Sequence, residues 1–170
     1  MELVFYIAAA IAILATMMVI TRVHVVHALL YFVVSLLAIA VALYAMGAPF
    51  IAALEVIVYA GAILVLFIFV IMLLGLGPRT TTEERQWLDF RVWIGPALLG
   101  VVLLVEVVVL LLRSSGGLTN GVVVEPRQVG VALYGPYVIG VELASLVLLA
   151  GLVGAYHLGR RIPHREAEGG

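Results

Sequence analysis

Three carboxylates, Glu55, Glu106 and Glu142, stand inside long apolar runs of the chain. A charged side chain at the centre of a bilayer costs ~2.5–3.5 kcal/mol on insertion scales, so such groups persist where they face protein or water and not lipid. Carboxyls in those places take up and release protons, which makes all three candidates for a proton relay. Other roles stay open. Glu55 and Glu142 lie close enough to the ends of their runs to be partly hydrated, and Glu106 can hydrogen-bond a hydroxyl on a neighbouring helix. No Arg falls at their depth, so a partner must be another subunit, water or a shared proton. A second feature is the stretch around Tyr59. Tyr59 is a polar handle four residues after Glu55, on the same helical face. Gly61, between Ala60 and Ala62, offers no side chain to buttress a helix, and this cluster can tolerate one extra residue in a turn, a π-bulge.

Other chemistry is thin. His24 and His27 flank the start of the second run and His157 ends the fifth. A bis-His haem between those runs is geometrically conceivable, but none of these histidines sits deep in a run, so they are read as interfacial residues at helix ends. There is no Cys, which removes disulfides and thiolate-held clusters. No nucleotide loop, metal-ligand cluster or nucleophile–base pair is present, so no catalytic, cofactor-binding or metal residue is assigned.

The elements that must position these residues follow from composition. Of 170 residues, 65% are hydrophobic and 11% charged, against roughly 45–50% and about 25% in a soluble domain. No polar stretch is long enough to fold as a water-exposed domain. A net charge of −1 gives no reason to expect nucleic acid. Five apolar runs, about 3–20, 26–46, 51–76, 92–112 and 136–158, each reach the roughly 20 residues a bilayer crossing needs. In lipid the backbone must satisfy its own hydrogen bonds, so these runs are expected as helices. The fold class is therefore an all-α integral membrane protein: a five-helix transmembrane domain over 1–159 and a short polar tail over 160–170. The first run follows Met1-Glu2 without a basic segment, so it is expected to remain in the mature protein.

Charge sets the expected orientation. With the N-terminus outside, the inner segments hold Arg22, then Arg79, Arg85 and Arg91, then Arg160, Arg161 and Arg165, whereas the outer ones hold Arg113 and Arg127. That is a firm positive-inside bias, which places the N-terminus outside and the C-terminus in the cytoplasm. Trp87 and Trp93 fall at the inner interface, and Tyr6, Tyr44, Tyr134 and Tyr137 near the outer one. Small-residue pairs, Ala8/Ala12, Ala38/Ala42, Gly140/Ala144 and Ala150/Gly154, supply close helix packing, read as internal to the bundle. Leu, Ile and Val on nearly every face give no sign of a sealed central cavity, which favours a subunit over a self-sufficient transporter.

The third run carries a resemblance. Glu55-Val-Ile-Val-Tyr59-Ala-Gly61-Ala, followed by Val65, Phe67 and Val70-Ile-Met72, resembles the J-chain family of the proton-pumping NADH:quinone oxidoreductase, respiratory complex I, the bacterial counterpart of mitochondrial NADH dehydrogenase subunit six. His27-Ala-Leu-Leu-Tyr31, Glu84-Arg-Gln-Trp87, Gly135-Pro-Tyr137 and Val141-Glu-Leu-Ala-Ser145 extend the likeness over most of the chain. The resemblance implies a membrane-arm position between the quinone-binding and antiporter-like subunits. It also implies a π-bulge around Tyr59–Ala62 whose formation and loss accompany conformational change. It implies no redox centre in this chain; NADH, FMN, iron–sulfur clusters and quinone would be used by the assembly.

The physics of such a switch can be stated independently. Losing a one-residue bulge rotates the rest of a helix by about 100°. Val65 and Phe67 would then turn to a different neighbour. Val and Phe dewet a constriction, while Tyr59 can hold water. Each proton moved against 100 mV costs ~2.3 kcal/mol, the least a gate must hold back. The expected gate residues are therefore Tyr59, Ala60, Gly61, Ala62, Val65 and Phe67. A small independent proton-coupled transporter is the main alternative, but it would lack inverted repeats and broken-helix Pro/Gly pairs. A purely structural membrane protein would leave three membrane carboxylates without a role.

Overall fold

A computed structural model of the chain describes residues 1–23, 25–74, 90–114 and 123–159. Every regular element among them is helical. Five helices are long and apolar enough to cross a membrane: Glu2–Thr21, Val25–Ala45, Pro49–Leu73, Trp93–Leu112 and Val138–Gly159. The described residues thus form an all-α membrane chain of five spans. We name the elements α1 (Glu2–Thr21), α2 (Val25–Ala45), α3 (Pro49–Leu54), the π-segment (Glu55–Ile63), α4 (Leu64–Leu73), α5 (Phe90–Ser114), α6 (Pro126–Tyr134) and α7 (Val138–Gly159). His24, Trp87, the acidic and basic groups of 79–89 and the tail from 160 lie outside the described residues, and so does most of the charge from which the orientation was read.

The described residues fall into two compact units, Met1–Glu125 and Pro126 onward, and each is taken by itself. In the first, α2 is the central rod and packs against α1, α3, the π-segment and α5. Its end is written in the sequence. Gly47 adopts φ 86°, its N–H reaches the Tyr44 carbonyl at 3.0 Å, and the Ala48 N–H reaches the Leu43 carbonyl at 3.1 Å. This is a Schellman cap, in which a left-handed residue that costs glycine nothing satisfies the last carbonyls. Pro49 then opens the next helix at a position where no amide donor is needed. The Gly47 carbonyl accepts from the Val124 N–H at 2.9 Å.

The core of this unit is a seam of small and branched residues. Ala8, Ile11 and Ala15 of α1, Val34, Ala38, Val41 and Ala42 of α2, and Leu103 and Leu110 of α5 form one buried cluster. Lipid tails are as apolar as leucine, so close packing at small residues is what holds such helices together. Ala8/Ala12 and Ala38/Ala42 lie in this seam as internal packing. Tyr44, expected in an outer aromatic belt, instead packs against the cluster. The second unit holds α6, a turn at 135–137 and α7. The turn closes with the Tyr137 N–H on the Ala132 carbonyl, 3.1 Å, and the Val138 N–H on the Gly135 carbonyl, 3.2 Å. The fifth span therefore starts at Val138, just past Pro136. An added Cβ at Gly140, Gly151 or Gly154 would meet open space.

Candidate functional site

The third span is not a uniform α-helix. Between α3 and α4 the backbone runs as a π-helix for nine residues, Glu55–Ile63. The Glu55 N–H still points to the Ile51 and Ala52 carbonyls, four and three residues back. At the far end the Leu64 N–H reaches back to Tyr59, five residues away, and to Gly61. The wider ladder is thus entered at Glu55 and left at Leu64. It is longer than the Tyr59–Ala62 bulge expected. A Cβ at Gly61 would stand 3.3 Å from the Val56 carbonyl oxygen, the acceptor five residues earlier that a π-helix uses. Tyr59 is ten residues past Pro49, roughly 15 Å along the rod at ~1.5 Å per residue, or about half of a ~30 Å hydrocarbon core.

The side chains expected to form the gate point mostly outward from their own bundle. Tyr59 is 49% exposed and Phe67 is 50% exposed. Ala62 and Val65 are exposed, while Ala60 and Gly61 are half-buried. Leu64 is the buried residue of this stretch. Phe67 meets Phe32 of α2 edge-on, with ring centroids 6.5 Å apart at 88°. Beside the π-segment an apolar groove of about 470 Å³ runs between α2, α3 and α5, walled by Val56, Tyr44, Gly100, Leu103 and Val107 among others.

The three carboxylates have different surroundings. Glu55 is half-buried at the first π position. Glu142 is exposed on α7, and its backbone carbonyl accepts from the Ser145 hydroxyl at 2.6 Å. Glu106 is 7% exposed, and neither carboxylate oxygen has a hydrogen-bond partner among the described residues. It shares the inner face of α5 with Leu103 and Leu110, at spacings of three and four, facing the α1–α2 seam. Glu55 and Glu106 both lie in the half of this unit next to the Gly47 turn.

Sequence reasoning missed a polar line in the same seam. His27, Tyr31 and Ser35 are all buried on α2 at i, i+4 and i+8, one face of a helix. The Ser35 and Thr16 hydroxyls are 2.8 Å apart, and both reach the Ala12 carbonyl, at 3.3 and 2.8 Å. Arg22 donates to the Tyr31 hydroxyl at 3.4 Å and lies 5.3 Å from its ring centroid. Tyr31 presses on Gly95 of α5, where an added Cβ would collide with its hydroxyl. The signal was the spacing of His27, Tyr31 and Ser35. Among the described residues no group of three or more His, Asp or Glu is placed to hold a metal, and His157 is exposed near the end of α7.

The sequence profile of the NADH-ubiquinone/plastoquinone oxidoreductase chain 6 family matches residues 15–158. The chain is 56% identical over 162 residues to NADH-quinone oxidoreductase subunit J of Pseudomonas aeruginosa, covering 95% of this chain and 98% of that protein. It is 54% identical over 160 residues to the Escherichia coli K12 subunit J, covering 94% and 87%. Subunit J of Buchnera aphidicola from Acyrthosiphon pisum is 42% identical over 159 residues, with 94% of each chain covered. A match through all five spans, the π-segment included, shows that the chain belongs to the NADH-ubiquinone/plastoquinone oxidoreductase chain 6 family.

Proposed function

We propose that this chain is a non-catalytic membrane-arm subunit of a proton-translocating NADH:quinone oxidoreductase in a bacterial inner membrane, and that its π-segment is a conformational gate linking quinone reduction to proton movement. The observation that carries this reading is the nine-residue π-helical stretch in the middle of the third span. The relatives' names, NADH-quinone oxidoreductase subunit J, support the assembly. NADH oxidation, FMN, iron–sulfur clusters and quinone belong to other subunits. The outward-facing Tyr59, Val65 and Phe67 meet neighbours, among them the quinone-site and antiporter-like subunits.

The gate works because α4 can turn cheaply. Leu64 to Leu73 is apolar on every face, and lipid is as apolar as the side chains it would receive, so rotation carries little transfer cost. What changes is the neighbour of Tyr59, Val65 and Phe67, and with it whether a hydrated path beside Tyr59 is open. Glu55, Glu106 and Glu142 are the relay carboxylates of this reading. The N-terminus is periplasmic and the C-terminus cytoplasmic.

The test is Gly61→Leu in the intact assembly. Quinone-linked NADH oxidation and proton uptake into vesicles are measured together. The variant is expected to lose pumping; full pumping with normal quinone reduction refutes the gate. Co-purification separates this reading from an independent transporter: the chain should be recovered in a large NADH-oxidising assembly, and a stable solitary oligomer would overturn the assignment.

A further inference from the structure

The π-segment packs on one side of α2. Where α2 meets α1 and α5, the structure holds further polar groups. Arg22 meets Tyr31. Ser35, 3% exposed, lies four residues further along and touches Thr16. Glu106 lies on α5 beyond them. Its register follows from two contacts: Tyr31 abuts Gly95, and Ala38, Val41 and Ala42 share a cluster with Leu103 and Leu110. The two helices therefore run in the same direction, and Glu106, eleven residues past Gly95, falls level with about Ala42. Small residues surround that level, Ala8 on α1 and Ala42 on α2, both buried. Tyr44, two residues on, is the titratable side chain of α2 nearest in register. Arg22 and His27 lie at the opposite end of the seam, and Glu2, on the first turn of α1, is exposed.

A buried carboxylate with neither a counter-charge nor a donor is costly enough that the neutral acid is the form such a site admits. The hydroxyls below it are arranged to exchange protons. Ser35 and Thr16 have one proton each, yet three contacts join them and the Ala12 carbonyl. One hydroxyl proton can therefore swing between two acceptors. Between Ser35 and Glu106 lies roughly 10 Å, seven residues at ~1.5 Å rise, filled by Ala38 and Leu103. That gap is too long for a hydrogen bond, so a proton crosses it only on water that enters between these side chains. Ala12, half-buried, borders it on α1.

We propose that the α1–α2–α5 seam is a second proton site: Glu106 holds a proton as a carboxylic acid and exchanges it with the Ser35 and Thr16 hydroxyls on water molecules that enter the apolar stretch at Ala38 and Leu103. At each hydroxyl an incoming proton binds the oxygen while the hydroxyl's own proton leaves on the far side, so the hydroxyl ends as it began. At Glu106 one O–H bond breaks and one forms. This inference rests on the reading that the chain works in a proton-translocating assembly, but not on any switching of the π-segment.

The experiment uses the assembled enzyme at rest, without turnover. Infrared spectra are recorded as H2O is replaced by D2O, and the Glu106 carboxylic acid C=O band is assigned by its loss in Glu106→Gln. The native enzyme should show the band. Its deuterium shift should slow at least tenfold in Ser35→Ala, whose lost hydroxyl breaks the line. If Ser35→Ala does not assemble, Thr16→Val removes the hydroxyl that faces Ser35, keeps the side-chain shape and is read the same way. Absence of an acid band that Glu106→Gln removes overturns the proposal. An unchanged exchange rate in the hydroxyl variants overturns the path. Because nothing turns over, failure here leaves the Gly61→Leu pumping result untouched, and failure of that variant leaves this one untouched.

Discussion

Gly61 admits a graded test whose two steps should differ sharply. A Cβ at this position stands 3.3 Å from the Val56 carbonyl oxygen, so Gly61→Ala needs that carbonyl to yield by a few tenths of an ångström. Removing a glycine from a helix interior returns roughly 0.5–1 kcal/mol, which offsets so small a shift. Gly61→Val is different. Its two γ-methyls add to a Cβ already at the limit, and overpacking of this kind costs about 1–3 kcal/mol. The strain is relieved if the ladder returns to i→i−4 and the extra residue is expelled. The segment beyond then turns by about 100° and advances ~1.5 Å.

The opposing cost is small. At an outer radius of ~5 Å the turn carries the Phe67 ring roughly 8 Å and ends its edge-on contact with Phe32, worth about 0.5–1.5 kcal/mol. Leu64 leaves its buried place for lipid, which costs packing and little else. Since each 1.4 kcal/mol is a factor of ten in an equilibrium, the valine should hold the third span mainly in the α register. The expected outcome is Gly61→Ala within about twofold of native pumping and Gly61→Val reduced roughly fivefold, as a net ~1 kcal/mol dictates. A density map of the valine variant should show a regular α-helix through 55–63. An intact π-segment in that map, or equal behaviour of the two variants, would refute the reasoning.

Other outcomes follow from the same contacts. Phe32→Ala removes the ring that holds Phe67, so the fraction of particles with an α-register third span should rise roughly two- to tenfold, as about 0.5–1.5 kcal/mol dictates; classification of images checks it. Gly95→Ala drives a methyl into the Tyr31 hydroxyl and should lower the melting temperature of the assembly, with Tyr31→Phe in the same chain restoring much of the loss. Glu55→Gln should reduce pumping with the assembly intact, and the relay idea falls if Glu55→Gln, Glu106→Gln and Glu142→Gln all pump normally. Alkaline phosphatase fused to the C-terminus should be inactive; periplasmic activity would reverse the orientation.

Five helices were legible in the residues because lipid leaves an apolar run of this length few other conformations. The weak point at Gly61 was legible too, since a glycine flanked by alanines beside a buried-depth tyrosine is a poor place to keep an α-ladder. The extent of the π-segment was not. It depends on where carbonyls find donors at both ends, Glu55 and Leu64, and no side chain announces that. The helix Pro126–Tyr134 was also missed, because Pro126, Arg127, Gln128 and Gly130 read as loop, whereas the proline sits at the first helical position, where it fits. Outward exposure of Tyr59 was invisible as well: depth follows from counting residues, but facing depends on which neighbours pack.

The burial of Glu106 shows why facing matters more than depth for chemistry in a membrane. Glu55, Glu106 and Glu142 look alike in sequence, each a lone acid among Leu, Ile and Val. Folding separates them. Glu142 is exposed on α7 and Glu55 half-covered at the start of the π-segment, while Glu106 is turned inward, between two leucines of its own helix, toward alanines that leave its oxygens unpartnered. An exposed acid can be served by whatever subunit lies against it. An inward acid can be served only along the seam that encloses it, where Tyr31 and Ser35 are buried on α2. Under the proposed gate and the proposed proton site, this unit holds two proton-handling elements. One changes by turning a backbone and the other by passing protons between fixed hydroxyls. Leu103 is the residue whose shortening distinguishes them: Leu103→Ala should admit water and speed deuterium exchange at Glu106 while leaving the register of the third span unchanged.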